Sequence, residues 1–233
     1  MGLGFKMVNP HRVIKLGGSV ITCKAVPYCV DLVAVKHCAG ELASFTNGLV
    51  VIHGGGSFGH FEARREHASR LTLTSASMEE LNAHVLREMA IAGIRAFPLP
   101  GRFYTHERVE SILGKGLVPV IYGDISEDGT IISGDDITLD IAKKYSLTAF
   151  FATDVDGVII GDEVIPELSD IENFRRSRKF ATNSFDLTGG MEEKIKKIFQ
   201  NNVNAVIFNG KKKGNIFNVL KGERIGTFVK VRK

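Results

Sequence analysis

The chain has 233 residues, 44% hydrophobic and 24% charged, with a formal net charge of +4 at pH 7. That is ordinary for a globular protein and long enough for one large α/β domain or two closely fused lobes with a full core. No stretch approaches the ~18 uninterrupted apolar residues of a membrane span, and the basic clusters Arg175–Lys179 and Lys211–Lys213 lack the interleaved aromatics of a nucleic-acid surface.

Residues 1–11 read as a short extension, because Met1–Met7 lacks the apolar core and small-residue cleavage site of a signal peptide. The cytoplasm is then the default compartment. From residue 12 onward, short runs rich in Val, Ile and Phe alternate with amphipathic segments. The runs at 12–16, 49–53, 117–121, 148–153, 204–208 and 226–231 are the expected strands. Helices are expected over 31–46, 78–95, 136–145 and 190–200, the second announced by a capping box at Ser77-Met-Glu-Glu80. Hairpins are expected around Glu127-Asp-Gly-Thr130 and across 157–166, turning at Gly161-Asp162. Strands apolar on both faces and spaced by helices belong to a mostly parallel central sheet sandwiched by helices, an α/β fold. The chemistry divides near residue 140, which suggests two lobes, 12–140 and 141–233, sharing one sheet. Cys23, Cys29 and Cys38 are odd in number and lack CxxC spacing, so small buried thiols are expected rather than a disulfide framework or a zinc site.

The first strand ends in Lys15-Leu-Gly-Gly-Ser19 and the second in His53-Gly-Gly-Gly-Ser-Phe-Gly-His60. Glycines let a backbone approach an anion and point N–H groups at it, and a helix N-terminus adds a positive field. Two such loops suggest two phosphates, hence phosphoryl transfer. Lys15 suits either a phosphate contact or a strand-edge lysine beside a tight turn. It is no Walker A lysine, because it precedes the glycines. Asp154 and Asp156, at the end of the 148–153 run, suit Mg2+ or a ribose, although Asp156 reads better as part of a turn. Asp135 and Asp136 precede a helix and can cap it or orient a lysine. Thr188-Gly-Gly-Met191 opens another helix and carries Lys194 one turn inward, while Asn209-Gly210 is a turn first and a pocket edge second. His53 reads as structural. His60, at the lip of the second loop, suits ligand contact and packing equally.

Taken in order, Lys15-Leu-Gly-Gly, His53-Gly-Gly-Gly, Ser133-Gly-Asp-Asp136, Thr153-Asp-Val-Asp-Gly157, Thr188-Gly-Gly-Met191 with Lys194, and Asn209-Gly resemble the amino acid kinase family over essentially the whole chain from Arg12. Gly17-Gly-Ser-Val-Ile-Thr22 with Lys24, Gly54–His60 and the ending Leu220–Thr227 are most similar to its isopentenyl phosphate kinase group. The resemblance implies a kinase using ATP with Mg2+ on a small phosphate monoester, commonly a homodimer through the N-terminal lobe. It implies that His60, Gly54, Gly55, Gly56 and Gly59 hold the acceptor phosphate. Lys15, Lys24 and Lys194 would contact the transferring phosphates with Asp135 orienting lysines. Gly17, Gly18, Ser19, Thr153, Asp154, Gly157, Gly189, Gly190, Asn209, Gly210 and Lys211 would line the nucleotide site. No metal ligand on the protein is implied. Two positions depart from the family pattern: Cys23 stands where an Asp usually precedes the lysine, and Phe61 where a proline usually follows the histidine. Kinases for other small phosphates or phosphonates, such as UMP or fosfomycin, and a non-catalytic nucleotide-binding module are the alternatives. A dinucleotide-dependent oxidoreductase is disfavoured because neither loop reads G-x-G-x-x-G with an acidic residue about 20 positions on.

Overall fold

The structure, a computed structural model, describes residues 7–63, 67–160, 163–172 and 189–231. The Gly161-Asp162 turn, the Arg175–Lys179 cluster and Thr188 lie outside the described residues. The strands are β1 (Arg12–Leu16), β2 (Leu49–His53), β3 (Ala96–Pro100), β4 (Val118–Tyr122), β5 (Asp124–Ile125), β6 (Ile131–Ile132), β7 (Ala149–Thr153), β8 (Ile159–Ile160), β9 (Glu163–Val164), β10 (Glu167–Leu168), β11 (Ala205–Asn209) and β12 (Thr227–Val229). The helices are α1 (Gly18–Ile21), α2 (Leu32–Leu42), α3 (Gly56–Ala63), α4 (Arg70–Ile91), α5 (His106–Gly114), α6 (Gly134–Lys144), α7 (Gly189–Asn201) and α8 (Asn215–Lys221).

One eight-stranded sheet runs in the order β10-β12-β11-β7-β1-β2-β4-β3 and is parallel except where β12 meets β11. This is the expected α/β architecture. Alternate residues of each central strand enter different cores: Val13, Val50, Ile52, Phe151 and Ile207 pack on one face, and Ile14, Leu49, Val51, Ala152 and Phe208 on the other. Val109, Ile137, Ile141 and Ile195 of α5, α6 and α7 cover the first face. Val35, Leu42, Leu81, Val85 and Ile216 of α2, α4 and α8 cover the second. Burial on both sides explains why these strands read as continuous apolar runs rather than as alternation. Strand β1 is central, with β2 on one side and β7 on the other. The chain ends of β1, β2 and β7 therefore open into the crevice where ligands settle in such sheets.

Three expectations need correction. Ser77 does not start a helix. It is buried inside α4 and donates its hydroxyl to Leu73 O at 2.6 Å, the bond to the preceding turn that lets serine sit within a helix. Asp135 and Asp136 do not cap α6, because Ser133 does, its Oγ accepting from Asp135 N–H at 3.2 Å. Cys23 and Cys29 are not free thiols but form a disulfide with Cα atoms 5.3 Å apart. An antiparallel bridge between Thr22 and Val30, with Cys23 N–H donating to Cys29 O at 2.8 Å, folds the segment back on itself and brings the two sulfurs together. Cys38 alone matches the expectation: its buried thiol is pushed up to about 12, chiefly by desolvation.

The hairpins both occur, in altered form. Around Glu127–Thr130 the paired strands are β5 and β6, outside the main sheet. Strands β8 and β9 form the second.

Candidate active site

The glycine turns after β1 and β2 touch backbone to backbone. A Cβ on Gly18 would fall 2.2 Å from Gly56 N and 2.4 Å from Gly56 Cα, so only glycine allows this approach. Gly54 N–H donates to Leu16 O at 3.1 Å and Gly17 N–H to Ala152 O at 2.9 Å, fixing each turn to the neighbouring strand end. Ser57 N–H donates to Thr22 Oγ1 at 3.1 Å, and Gly55 O accepts from both Phe58 and Gly59 N–H. Helix α3 therefore starts directly from this double turn, with Gly59 pressed against Met78 of α4.

Beneath the turns lies a largely buried three-residue charge cluster, its Lys15, Asp135 and Lys194 side chains 11%, 18% and 11% exposed. Lys15 Nζ and Lys194 Nζ donate to the same oxygen of Asp135, Oδ1, at 2.7 and 2.6 Å. The three come from β1, α7 and the first turn of α6. The stem of Lys15 runs between Gly54 and Gly134, where a Cβ on Gly134 would crowd it at 3.3 Å, and Lys194 sits over the Phe151 ring at 4.7 Å. Burial opposes the Asp135 charge, but the two ammonium groups outweigh it and hold the carboxyl far below the usual range. For Lys194, burial dominates over the attraction of Asp135 and brings the ammonium down to about 8. With two cations and one anion, the cluster has a net positive charge to offer, directed at the glycine turns.

Across the crevice, Lys24 pairs with Asp154. Partial burial pushes that carboxyl up, but hydrogen bonds from Lys24 and Ser19 prevail and hold it low. Lys24 lies inside the loop closed by the Cys23–Cys29 disulfide. Thr153 Oγ1 donates either within the turn after β7, to Val155 O, or across to Phe208 O of β11. Asn209 donates from Nδ2 to Asp156 at 2.9 Å and accepts from Lys211 N–H at 2.9 Å, while Lys212 pairs with Asp156 and Lys211 with Asp31. Asp156 is thus more than a turn residue. Gly210 lies against Ala152 and Gly157 against Thr227, each too close for a Cβ. Gly189 and Gly190 form the N-terminus of α7.

His60 stands exposed in the last turn of α3, four residues beyond Gly56. Phe61 packs its edge on the Tyr28 ring, 5.5 Å between centroids, and Tyr28 donates to the buried carboxylate of Glu62. The aromatic in place of proline thus ties α3 to the disulfide loop. Phe151 as a seat for Lys194 and Lys212 as a partner of Asp156 are absent from the expectations. Phe151 looks like any core residue in the sequence, whereas Lys212 carried the local signal of a lysine two residues after a glycine turn.

Among the described residues no group of three or more His, Cys, Asp or Glu side chains can hold a metal ion. Asp135 and Asp154 are each already compensated by lysine.

The chain matches the amino acid kinase family over residues 11–209. An isopentenyl phosphate kinase of Methanocaldococcus jannaschii is 31% identical, the alignment covering 92% of this chain and 96% of the relative. Among solved structures, one described as an isopentenyl phosphate kinase superposes with a TM-score of 0.75 at 27% identity, covering 93% of this chain and 98% of the other. The Thermoplasma acidophilum isopentenyl phosphate kinase product complex gives 0.74 at 26% identity, covering 94% and 99%.

Proposed function

The chain belongs to the amino acid kinase family, and from that premise we infer that it transfers the γ-phosphoryl group of ATP to isopentenyl phosphate, yielding ADP and isopentenyl diphosphate for isoprenoid synthesis. The observation that carries this reading is the meeting of Lys15 and Lys194 on one oxygen of Asp135 beneath the abutting glycine turns. Two adjacent anion-binding turns over a shared positive cluster suit two phosphates end to end.

In the reaction an oxygen of the acceptor phosphate bonds to the γ-phosphorus as the bond to the β,γ-bridging oxygen breaks. Phosphate monoesters have a second pKa near ~6, so the attacking oxygen is already ionised at neutral pH and needs no general base. What remains is positioning and charge neutralisation around a loose, in-line transition state. We assign Lys15 and Lys194 to the transferring phosphoryl group, with Asp135 holding both ammonium groups in place. Gly54, Gly55, Gly56 and Gly59 wrap the acceptor phosphate, Gly55 and Gly56 offering their main-chain N–H groups while those of Gly54 and Gly59 hold the loop in shape, and His60 donates a further hydrogen bond to it. Lys24, Gly17, Gly18 and Ser19 face the donor phosphates. Thr153, Asp154, Gly157, Gly189, Gly190, Asn209, Gly210 and Lys211 line the nucleotide. The lobe of residues 12–140 thus takes the acceptor and that of 141–233 most of the nucleotide. Mg2+, carried in on ATP, supplies further neutralisation of the phosphate charge.

A homodimer through the N-terminal lobe belongs to this reading. Ile91 at the end of α4 and Phe97 on the edge strand β3 are 68% and 46% exposed, an apolar pair that a second copy would cover. A cytoplasmic location is part of the proposal as well, resting on the requirement for ATP. No helix among the described residues is long and apolar enough to cross a membrane.

ADP release from Mg·ATP, measured with isopentenyl phosphate, dimethylallyl phosphate, UMP, fosfomycin, carbamate and acetylglutamate, tests the assignment. Isopentenyl phosphate should give the highest kcat/KM. A higher value for UMP or fosfomycin would replace the proposed substrate.

A further inference from the structure

His53 is a fully buried imidazole at the carboxyl end of β2, next to the proposed acceptor loop, and the mechanism above does not use it. Its Nδ1 lies 3.2 Å from Gly54 O and its Nε2 3.2 Å from Asn82 Oδ1, while the ring stacks on Tyr122 with centroids 5.6 Å apart. Burial lowers the imidazole to about 4, so the ring is neutral at physiological pH and has one N–H to donate. A carbonyl oxygen can only accept. A carboxamide can present either end. Both contacts are therefore satisfied in one way: His53 Nδ1–H donates to Gly54 O, and Asn82, itself buried on α4, turns its Nδ2 to donate to Nε2.

This arrangement fixes a peptide plane. In a trans peptide the C=O and the following N–H point in opposite directions, so a Gly54 carbonyl held against the ring turns the Gly55 N–H away from the core. The other groups nearby are committed: Gly54 N–H donates to Leu16 O, and Gly55 O accepts from Phe58 and Gly59. The Gly55 N–H has no acceptor among the described residues. Glycine has no side-chain bulk to keep this peptide from flipping, and the ring supplies that restraint.

We propose that His53 and Asn82 are a positioning pair that locks the Gly54–Gly55 peptide so that the Gly55 N–H meets the acceptor phosphate. The proposal rests on the assignment of residues 54–60 to the acceptor. His53 touches no substrate. It acts through the main chain, with its proton held on Nδ1, the less common site in a free imidazole.

Two measurements test it. The first is long-range 1H–15N NMR of the intact protein labelled with 15N-histidine, which reads the tautomer directly. One neutral imidazole should be protonated on Nδ1 and hold that state from pH 8 to 5, and the signal should vanish in His53→Asn. A His53 protonated on Nε2, or titrating near 6.5, would overturn the pair. The second is steady-state kinetics of His53→Asn, His53→Leu and Asn82→Leu with both substrates. The Asn side chain places an amide N–H near the position of Nδ1, so His53→Asn should keep the KM for isopentenyl phosphate within about threefold. His53→Leu should raise it about tenfold or more, the usual effect of losing a hydrogen bond to a charged group, with the KM for ATP unchanged. Asn82→Leu leaves Nε2 unpaired and frees the ring to move its proton, and it should raise the same KM less. A merely structural histidine would shift both KM values together, or neither, and that outcome overturns the proposal. If wild-type protein turned over no isopentenyl phosphate, the substrate assignment would fail while the tautomer reading stood or fell by NMR.

Discussion

Lys194 is the residue whose environment makes the most specific demand. It is largely buried, paired with Asp135 and brought down to about 8. In the free enzyme, kcat/KM for Mg·ATP should stay level through neutrality and fall as pH rises past about 8, because the ammonium that neutralises the transferring group loses its proton. Lys194→Arg should remove that alkaline limb. Stability should move the other way. The unfolded lysine has its ordinary pKa of 10.5, so between about 8 and 10.5 the unfolded chain binds more protons and raising the pH favours the folded state. Activity lost above pH 8 with no loss in thermal midpoint would identify the lysine itself. Lys15→Met and Lys194→Met should each lower kcat by about 100-fold or more with little change in nucleotide affinity, the signature of a contact that matters in the transition state. Saturation kinetics check this, and a pure rise in the KM for ATP would mean uniform binding instead. His60→Gln retains a donor and should keep measurable turnover at saturating acceptor, whereas His60→Ala should lose much more. Equal loss in both would contradict the anchoring role.

The turns following β1 and β2 act as one element. Adding a methyl group at Gly18 places it 2.2 Å from the backbone of Gly56. Relief requires separating the two strand ends, an overpacking cost of about 1–3 kcal/mol. In a chain of this size each kcal/mol lowers Tm by about 2–4 °C. Gly18→Ala should therefore lower Tm modestly in a thermal melt but reduce kcat/KM for both substrates together, since both phosphates depend on the same junction. A Gly18→Ala enzyme with normal kinetics would mean the two turns do not share the work. These turns were legible in the sequence because strand, glycines and lysine are contiguous there. Strand β3 was not, because Pro98 and Pro100 argue against a strand and are tolerated here at the sheet edge, where half the N–H groups face no partner. The disulfide was equally hidden, since it depends on the fold-back between Thr22 and Val30 rather than on cysteine spacing. The Asn82 contact with His53 joins residues 29 apart and left no local trace.

For the molecule as a whole, the sheet order decides which distant residues meet. Lys15 and Lys194 lie at opposite ends of the sequence, and β7 beside β1 with α6 and α7 packed on one face brings them to a common oxygen of Asp135. Sequence order suggested the participants, but only the crossing at β1 makes them neighbours. The exposed Ile91 and Phe97 belong to this scale too. Sedimentation equilibrium should find a dimer that Ile91→Glu with Phe97→Glu converts to monomer, and an unchanged mass would place any dimer contact elsewhere. The central claim is that two phosphates are held end to end between the glycine turns and the lysine–aspartate cluster. The most direct test is a crystal structure with isopentenyl phosphate and a non-hydrolysable ATP analogue. An acceptor oxygen about 3–3.5 Å from the γ-phosphorus, in line with the bridging oxygen, is the predicted result. An acceptor phosphate bound away from residues 54–60, or a γ-phosphate out of reach of Lys15 and Lys194, would contradict it.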